Sequence, residues 1–148
     1  MPAQVSWESF DRGVFLVNCL AIILRDRKVL IGRRESDHYI KELTWTFPGG
    51  RPAYRVSLTD SLKKEVKKKT GLKIEIVKLL FARTLPEKPE FLLLYYAAKP
   101  IGGKEKPGEK FVELQWVKPA DALRYFTTSI DPYIKQLLIT LERGKENW

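Results

Sequence analysis

Gly50 to Leu72 reads GRPAYRVSLTDSLKKEVKKKTGL, a glycine-opened loop that runs into a helix and stops at a second glycine. The spacing predicts the helix over Ser57 to Lys69. Ser57 or Thr59 can cap its start, and Asp60 lies in the first turn, where the helix dipole favours a carboxylate. Leu58, Leu62 and Val66 recur every four residues and form one apolar stripe. Gly71 is a natural C-terminal stop, because it enters the left-handed conformation without a steric cost. Lys63, Lys64, Lys67, Lys68 and Lys69 make a basic band, opposed within the helix only by Asp60 and Glu65.

The elements on either side are strands. Val14 to Leu24 is apolar and β-branched, as expected for a strand buried on both faces. Arg25 to Lys28 is a polar turn, and Val29 to Arg34 reads as the hairpin partner. Glu35 to Glu42 is a charged loop, Leu43 to Phe47 a short alternating strand, and Pro48-Gly49-Gly50 its stop. Beyond the helix, Lys73 to Phe81 and Phe91 to Ala98 are strand-like runs joined across Pro86-Glu-Lys-Pro89. Ile101 to Lys110 is a Gly/Lys-rich turn, and Phe111 to Val117 alternates as a strand. Pro119 to Phe126 predicts a short helix. Pro132 to Arg143 predicts an amphipathic one, with Ile134, Leu137, Leu138 and Leu141 inward. Strands before and after a central helix, with a helix at the end, imply a mixed sheet covered on both faces.

The segment Gly50 to Leu72 resembles the Nudix box, G-x5-E-x7-R-E-U-x-E-E-x-G-U with U aliphatic, at full length and without a gap. Gly50, Glu65, Val66, Gly71 and Leu72 match. Lys64 stands in place of the arginine, and Val56, Lys68 and Lys69 stand in place of glutamates. The Trp45-Thr-Phe-Pro-Gly-Gly50 approach, and Glu113-Leu-Gln-Trp-Val117 followed by Pro119-Ala-Asp-Ala-Leu123, are also similar to this family. The resemblance implies one Nudix-like α/β domain over residues 1–148, an α/β/α sandwich around a mixed β-sheet. It also implies hydrolysis of a nucleoside diphosphate linked to another group. Glutamates three and four residues apart share a helix face. There they hold Mg²⁺ or Mn²⁺ against a pyrophosphate, and the metals neutralise phosphate oxygens and activate water.

In this chain that face carries one glutamate among lysines. A hard cation needs oxygen ligands, and an ammonium offers none. No metal cofactor is therefore expected unless acidic residues elsewhere rebuild the site. Glu113 or Glu109 is the first choice for that, then Asp60 or Glu42, and only then would Glu65 and Glu113 be catalytic. The lysines can instead bind phosphate directly. The expected ligand-binding set is Lys64, Lys68 and Lys69 with Arg33, Arg34, Arg51 and Arg55, plus Tyr54 to stack on a base from the loop before the helix. Tyr39, Trp45 and Tyr95 are weaker stacking candidates. The bland alternative is a decayed site with solvated lysines.

Composition narrows the rest. The 148 residues carry 27 Lys and Arg against 18 Asp and Glu, a net charge of +9, which favours anionic partners. One cysteine, Cys19, and one histidine, His38, exclude a disulfide framework and a single-chain Cys/His zinc site. His38 is read as a surface loop residue. The scarcity of Cys and Met with abundant Lys and Glu is the composition of a thermophile. No apolar run reaches the roughly 18 residues that span a bilayer. Met1 to Phe10 lacks the regions of a signal peptide, so a cytoplasmic chain without membrane partners is expected. The leading reading is a protein that binds a nucleotide or another phosphorylated small molecule, with hydrolysis lost or weakened. The rivals are an active pyrophosphatase with relocated carboxylates, and an RNA- or ribonucleoprotein-binding module using the basic helix. The sequence leaves the nucleobase and the oligomeric state open.

Overall fold

The computed structural model describes residues 12–35, 40, 41 and 43–148. His38, Tyr39 and Glu42, and the N-terminal segment read above, lie outside the described residues. Two strands form the spine of the sheet. Strand β1 (Leu16–Arg25) runs parallel to β6 (Lys88–Gly103) from Leu16/Phe91 to Ile23/Ala98. Strand β5 (Leu72–Leu85) lies antiparallel on the far side of β6. On the near side β1 pairs with β2 (Lys28–Arg34) at Leu24/Val29 and Arg25/Lys28. The hairpin closes through Asp26 and Arg27, at φ 51° and 63°, the doubly left-handed turn that matches strand twist. Strand β2 in turn carries β3 (Trp45–Thr46) on one side and β7 (Phe111–Val117) on the other. Mixed pairing of this kind is what the alternation of strand and helix segments implied.

The alternation of side chains along β1 sends Cys19, Ala21 and Ile23 to one face and Ile22 and Leu24 to the other. Helix α1 (Leu58–Thr70) covers the first face through Leu62 and Val66, both fully buried. Helix α2 (Pro132–Glu142) covers the second through Ile134, Leu137, Leu138 and Leu141, the four residues expected to face inward. A 3-10 helix (Pro119–Arg124) seats Ala122 in the same layer. The result is the α/β/α sandwich around a mixed sheet.

Ser57 caps α1, its hydroxyl accepting from the Asp60 amide at 3.1 Å. Gly71 ends it at φ 77°, donating to the Lys67 carbonyl at 2.9 Å. The apolar stripe is displaced from its expected position, however. Leu58 is 40% exposed, and the buried face is Ser61, Leu62, Val66 and Thr70. The two buried hydroxyls are satisfied locally: Ser61 accepts from the Ala53 amide at 3.1 Å and Thr70 donates to the Val66 carbonyl at 2.7 Å.

Several boundaries differ from the sequence expectation. Strand β1 begins at Leu16 and leaves Val14 and Phe15 exposed, where a strand buried on both faces was expected from Val14. Gly49–Gly50, read as a stop, is a strand, β4, antiparallel to Cys19 and Leu20 of β1. The Pro86 to Pro89 loop contracts to a two-residue turn closed by Leu85/Lys88. Pro89 falls in the irregularity between that pair and Thr84/Leu92, where a missing N–H removes no ladder bond. The expected Ile101 to Lys110 turn begins later, because Ile101–Gly103 extend β6 against Leu72 and Lys73. No helix among the described residues is long and apolar enough to cross a membrane.

Burial on α1 sets a direct test of this packing. Leu62→Ala is expected to cost about 2–5 kcal/mol, the range for emptying a fully buried leucine site. Leu58→Ala is expected to cost less than Leu62→Ala, about 1 kcal/mol, since Leu58 is already 40% exposed in the folded protein. Urea unfolding midpoints of the two variants check the pair, and equal losses would place the inner face elsewhere.

Candidate ligand-binding cleft

Strands β1 and β2 touch at one end and part toward the other, and β4 takes up the vacated edge of β1. Where they part the sheet opens into a cleft of about 390 Å³. Its floor is apolar: Leu20 of β1, Leu93 and Tyr95 of β6, and Phe47, Leu85 and Phe91 around them. Its mouth is charged. Arg34 ends β2, Arg51 follows β4, Glu65 and Lys69 come from α1, and Glu109 and Lys110 precede β7.

The mouth is built on close contact between α1 and the glycine ribbon. A β-carbon on Gly49 would lie 2.0 Å from the Cys19 carbonyl oxygen, and one on Gly50 would lie 2.8 Å from a Glu65 carboxylate oxygen. Glycine at both positions lets the ribbon sit flat between β1 and the helix. Glu65 thereby rests against the ribbon, 3.5 Å through Oε2 from Lys69 Nζ and 3.7 Å through Oε1 from Lys68 Nζ. The two lysines are not equivalent. Lys69 is 12% exposed and donates a second bond to the Gly49 carbonyl, whereas Lys68 is 57% exposed. Burial pushes the Lys69 ammonium below the ordinary lysine range, and Arg34 adds to that; Glu65 and Glu109 pull the other way.

Of the residues singled out in the sequence, Arg34, Arg51, Glu65 and Lys69 line the cleft together, as do the stacking candidate Tyr95 and the reserve carboxylate Glu109. Arg33 points elsewhere and binds Glu113 at 3.0 Å across the β2/β7 pair. Glu113 is also held by Gln115 at 2.8 Å, and these hydrogen bonds, with Arg33's charge, keep its carboxyl below the usual carboxylate range despite slight desolvation. Tyr54 is 97% exposed in the loop before α1, beside Arg55 at φ 66°. Neither residue, nor Lys64 or Lys68, is among the residues lining the cleft. Trp45 packs edge-on against Tyr125, with ring centroids 5.0 Å apart. Of the other reserve carboxylates among the described residues, Glu109 reaches the cleft and Asp60 stays at the exposed start of α1.

Sequence reasoning missed Asn18, Arg83 and Lys110, and the apolar floor as a unit. No motif marks them; they meet through strand pairing. Arg83 spans the inner end of the cleft, donating to the Tyr95 hydroxyl at 3.3 Å and the Ser129 carbonyl at 3.0 Å. Glu87 completes the clamp, accepting from the Ser129 amide at 2.7 Å and its hydroxyl at 3.1 Å. The loop before α2, which contributes Thr128 to the wall, is thus tied to the β5–β6 hairpin.

The donor set at the α1 end is a poor match for a divalent cation, which takes oxygen ligands. The oxygens on offer there are the Glu65 carboxylate and the Gly49 carbonyl, which both already receive ammonium groups. The Glu109 carboxylate is the one further acidic group among the described residues lining the cleft. Among the described residues no three His, Cys, Asp or Glu side chains are placed to hold a metal ion. The site does not fit the metal cluster that a full glutamate set would hold.

The Glu87 clamp carries a pH prediction. Desolvation, the largest single effect, raises its pKa. The hydrogen bonds from Ser129 and from its own amide, with the charge of Arg83, together outweigh it, and the folded value lies below the ordinary one. Its contribution is therefore present above the unfolded glutamate pKa and is lost as pH falls through the lower folded value. The gap in urea midpoint between the wild type and Glu87→Gln is expected to be widest above the ordinary glutamate pKa of about 4.3 and to close as pH falls below it. A gap that widens on acidification would contradict the clamp.

Comparison with known proteins agrees with this architecture. Residues 15–138 match the NUDIX domain family model. The 8-oxo-dGTP diphosphatase of Buchnera aphidicola subsp. Schizaphis graminum is 38% identical over 55 residues, 37% of this chain and 42% of that protein. The match thus spans less than half of that relative. A NUDIX hydrolase crystal structure from Nitrosomonas europaea superposes with a TM-score of 0.69 at 20% identity, over 89% of this chain and 74% of that one. An ADP-ribose pyrophosphatase structure from Streptococcus suis gives 0.64 at 22% identity, over 90% and 94%. At such identities the superpositions establish the fold.

Proposed function

The chain belongs to the NUDIX domain family, and from that premise we propose that it binds a nucleotide or a similar phosphorylated small molecule without metal-dependent hydrolysis. One observation carries the reading: the cleft joins a cationic mouth to an apolar floor, and the only α1 carboxylate in that mouth is held by lysines. Arg34, Arg51, Lys69 and Lys110 supply four positive charges against Glu65 and Glu109. Guanidinium groups match phosphate oxygens two at a time, and an ammonium meets them as a point charge. The floor, with Tyr95 and Phe47 among aliphatic side chains, suits the flat apolar body of a base or an equivalent group.

Hydrolysis needs a cation to offset charge on the phosphates and an activated water. The carboxylates that would hold that cation are replaced by Val56, Lys68 and Lys69, and Glu65 is engaged. Glu109 is the carboxylate best placed to restore chemistry, since it shares the cleft with Glu65. The Buchnera relative is a diphosphatase, which keeps a relocated active site as the rival reading. Retention of RNA is the other rival, supported by the exposure of Lys63, Lys64, Lys67 and Lys68 on α1.

Calorimetric titration of ADP-ribose, UDP-glucose and 8-oxo-dGMP in EDTA separates these readings. At least one ligand is expected to bind with the same affinity in EDTA and in Mg²⁺. Arg34→Met, Arg51→Met and Lys110→Met should each weaken it by about tenfold or more, the loss of one charge-assisted contact. Lys135→Met, on the exposed side of α2, should leave it unchanged. Binding that requires Mg²⁺ would favour the relocated active site. Salt-sensitive RNA retention lost in Lys64→Glu/Lys68→Glu, with no nucleotide binding, would favour the RNA module.

A further inference from the structure

Lys68 and Lys69 are interchangeable in the sequence, since both replace glutamates of the box. The structure separates them. Lys68 lies on the solvent side and approaches Glu65 at the margin of ion-pair distance, 3.7 Å. Lys69 folds inward, bonds the Gly49 carbonyl, and lies 3.5 Å from Glu65 Oε2. A backbone carbonyl and a carboxylate converging on one point from two elements are the oxygen donors a hard cation takes. Here the same two oxygens converge on an ammonium.

The geometry points to Lys69 Nζ as a built-in cation, seated on the Gly49 carbonyl and the Glu65 carboxylate, that closes this end of the cleft to divalent metal ions. The inference deepens the metal-free binding reading and rests on it. Tethering the charge to the chain makes its local concentration independent of any ion in solution. The ammonium has three N–H groups. Two face Gly49 and Glu65, which leaves the third for a ligand oxygen in the cleft. The seat also has a mechanical role, because it ties α1 to a glycine ribbon that has no side chains of its own to pack. Lys68 carries the same charge without filling the seat, so the inference makes the two lysines behave differently.

Mn²⁺ alone is the probe, followed by electron paramagnetic resonance of the free ion, with the full chain and no nucleotide. Wild type and Lys68→Glu are expected to show no Glu65-dependent Mn²⁺ site. Lys69→Glu empties the seat and adds a carboxylate four residues after Glu65; it should bind Mn²⁺ at least about tenfold more tightly than Lys68→Glu. Adding Glu65→Gln should abolish the gain. Equal gains in Lys68→Glu and Lys69→Glu would overturn the seat and leave only a general charge effect. A Glu65-dependent Mn²⁺ site in the wild type would overturn it as well. Should Lys69→Glu fail to fold, the wild type still decides. The Lys69 ammonium ¹⁵N resonance should stay protected from exchange and unmoved by Mg²⁺, and its displacement by Mg²⁺ would sink the proposal. Failure of nucleotide binding in the calorimetric titration leaves these readouts untouched, so the two readings fail separately.

Discussion

Between Gly49 and the Cys19 carbonyl there is no room for a β-carbon, and much of the molecule follows from that close approach. A side chain there would push the ribbon off β1 and open the pairing at Cys19/Gly50 and Leu20/Gly49. With glycine in place, the Pro48 carbonyl accepts from the Ala21 amide at 2.8 Å and the ribbon continues the edge of β1. Helix α1 can then lie across it, with Leu62 and Val66 in the core and Glu65 and Lys69 turned to the ribbon. The cleft is the space left where β2 departs and the ribbon takes its place.

That arrangement explains why charge and apolar surface meet in one cavity. The floor is made of inward positions of β1 and β6, which are apolar because the sheet is buried on both faces. The mouth is made of strand ends, a helix edge and the segment before β7, positions where solvent permits charge. Burial makes Lys69 costly and its two oxygen partners offset that cost, whereas Lys68 is solvated and its pairing with Glu65 is weak. Two adjacent lysines thus do different work because the helix turns one of them toward the ribbon.

Much of the fold was legible. A continuous apolar β-branched run gave β1, the polar turn after it gave β2 and alternation gave β7. The capping serine and terminal glycine bounded α1, and the inward face of α2 was right at all four positions. The exposed Leu58 was misread because sequence periodicity fixes a stripe's direction and not which of its residues the core covers. Gly49–Gly50 was misread because punctuation residues and a side-chain-free strand look alike until the partner strand is known. The site was half legible. Arg51, Glu65 and Lys69 came from the local motif, and Arg34 from the strand before it. Arg83, Lys110 and Asn18 did not, since only tertiary pairing brings them in. Arg33 was directed away by its register opposite Glu113, a pairing between residues eighty positions apart in the chain that local spacing does not reveal.

The central claim is that the cleft holds its ligand without metal-driven cleavage. The most direct measurement is phosphorus NMR of wild-type protein with ADP-ribose, a dinucleoside polyphosphate and a nucleoside triphosphate, in Mg²⁺ and then Mn²⁺ at raised temperature. The account predicts no new phosphate resonance above the protein-free rate with either metal. Turnover that depends on metal and disappears in Glu65→Gln or Glu109→Gln would contradict it, and would place a working active site where the lysines now stand.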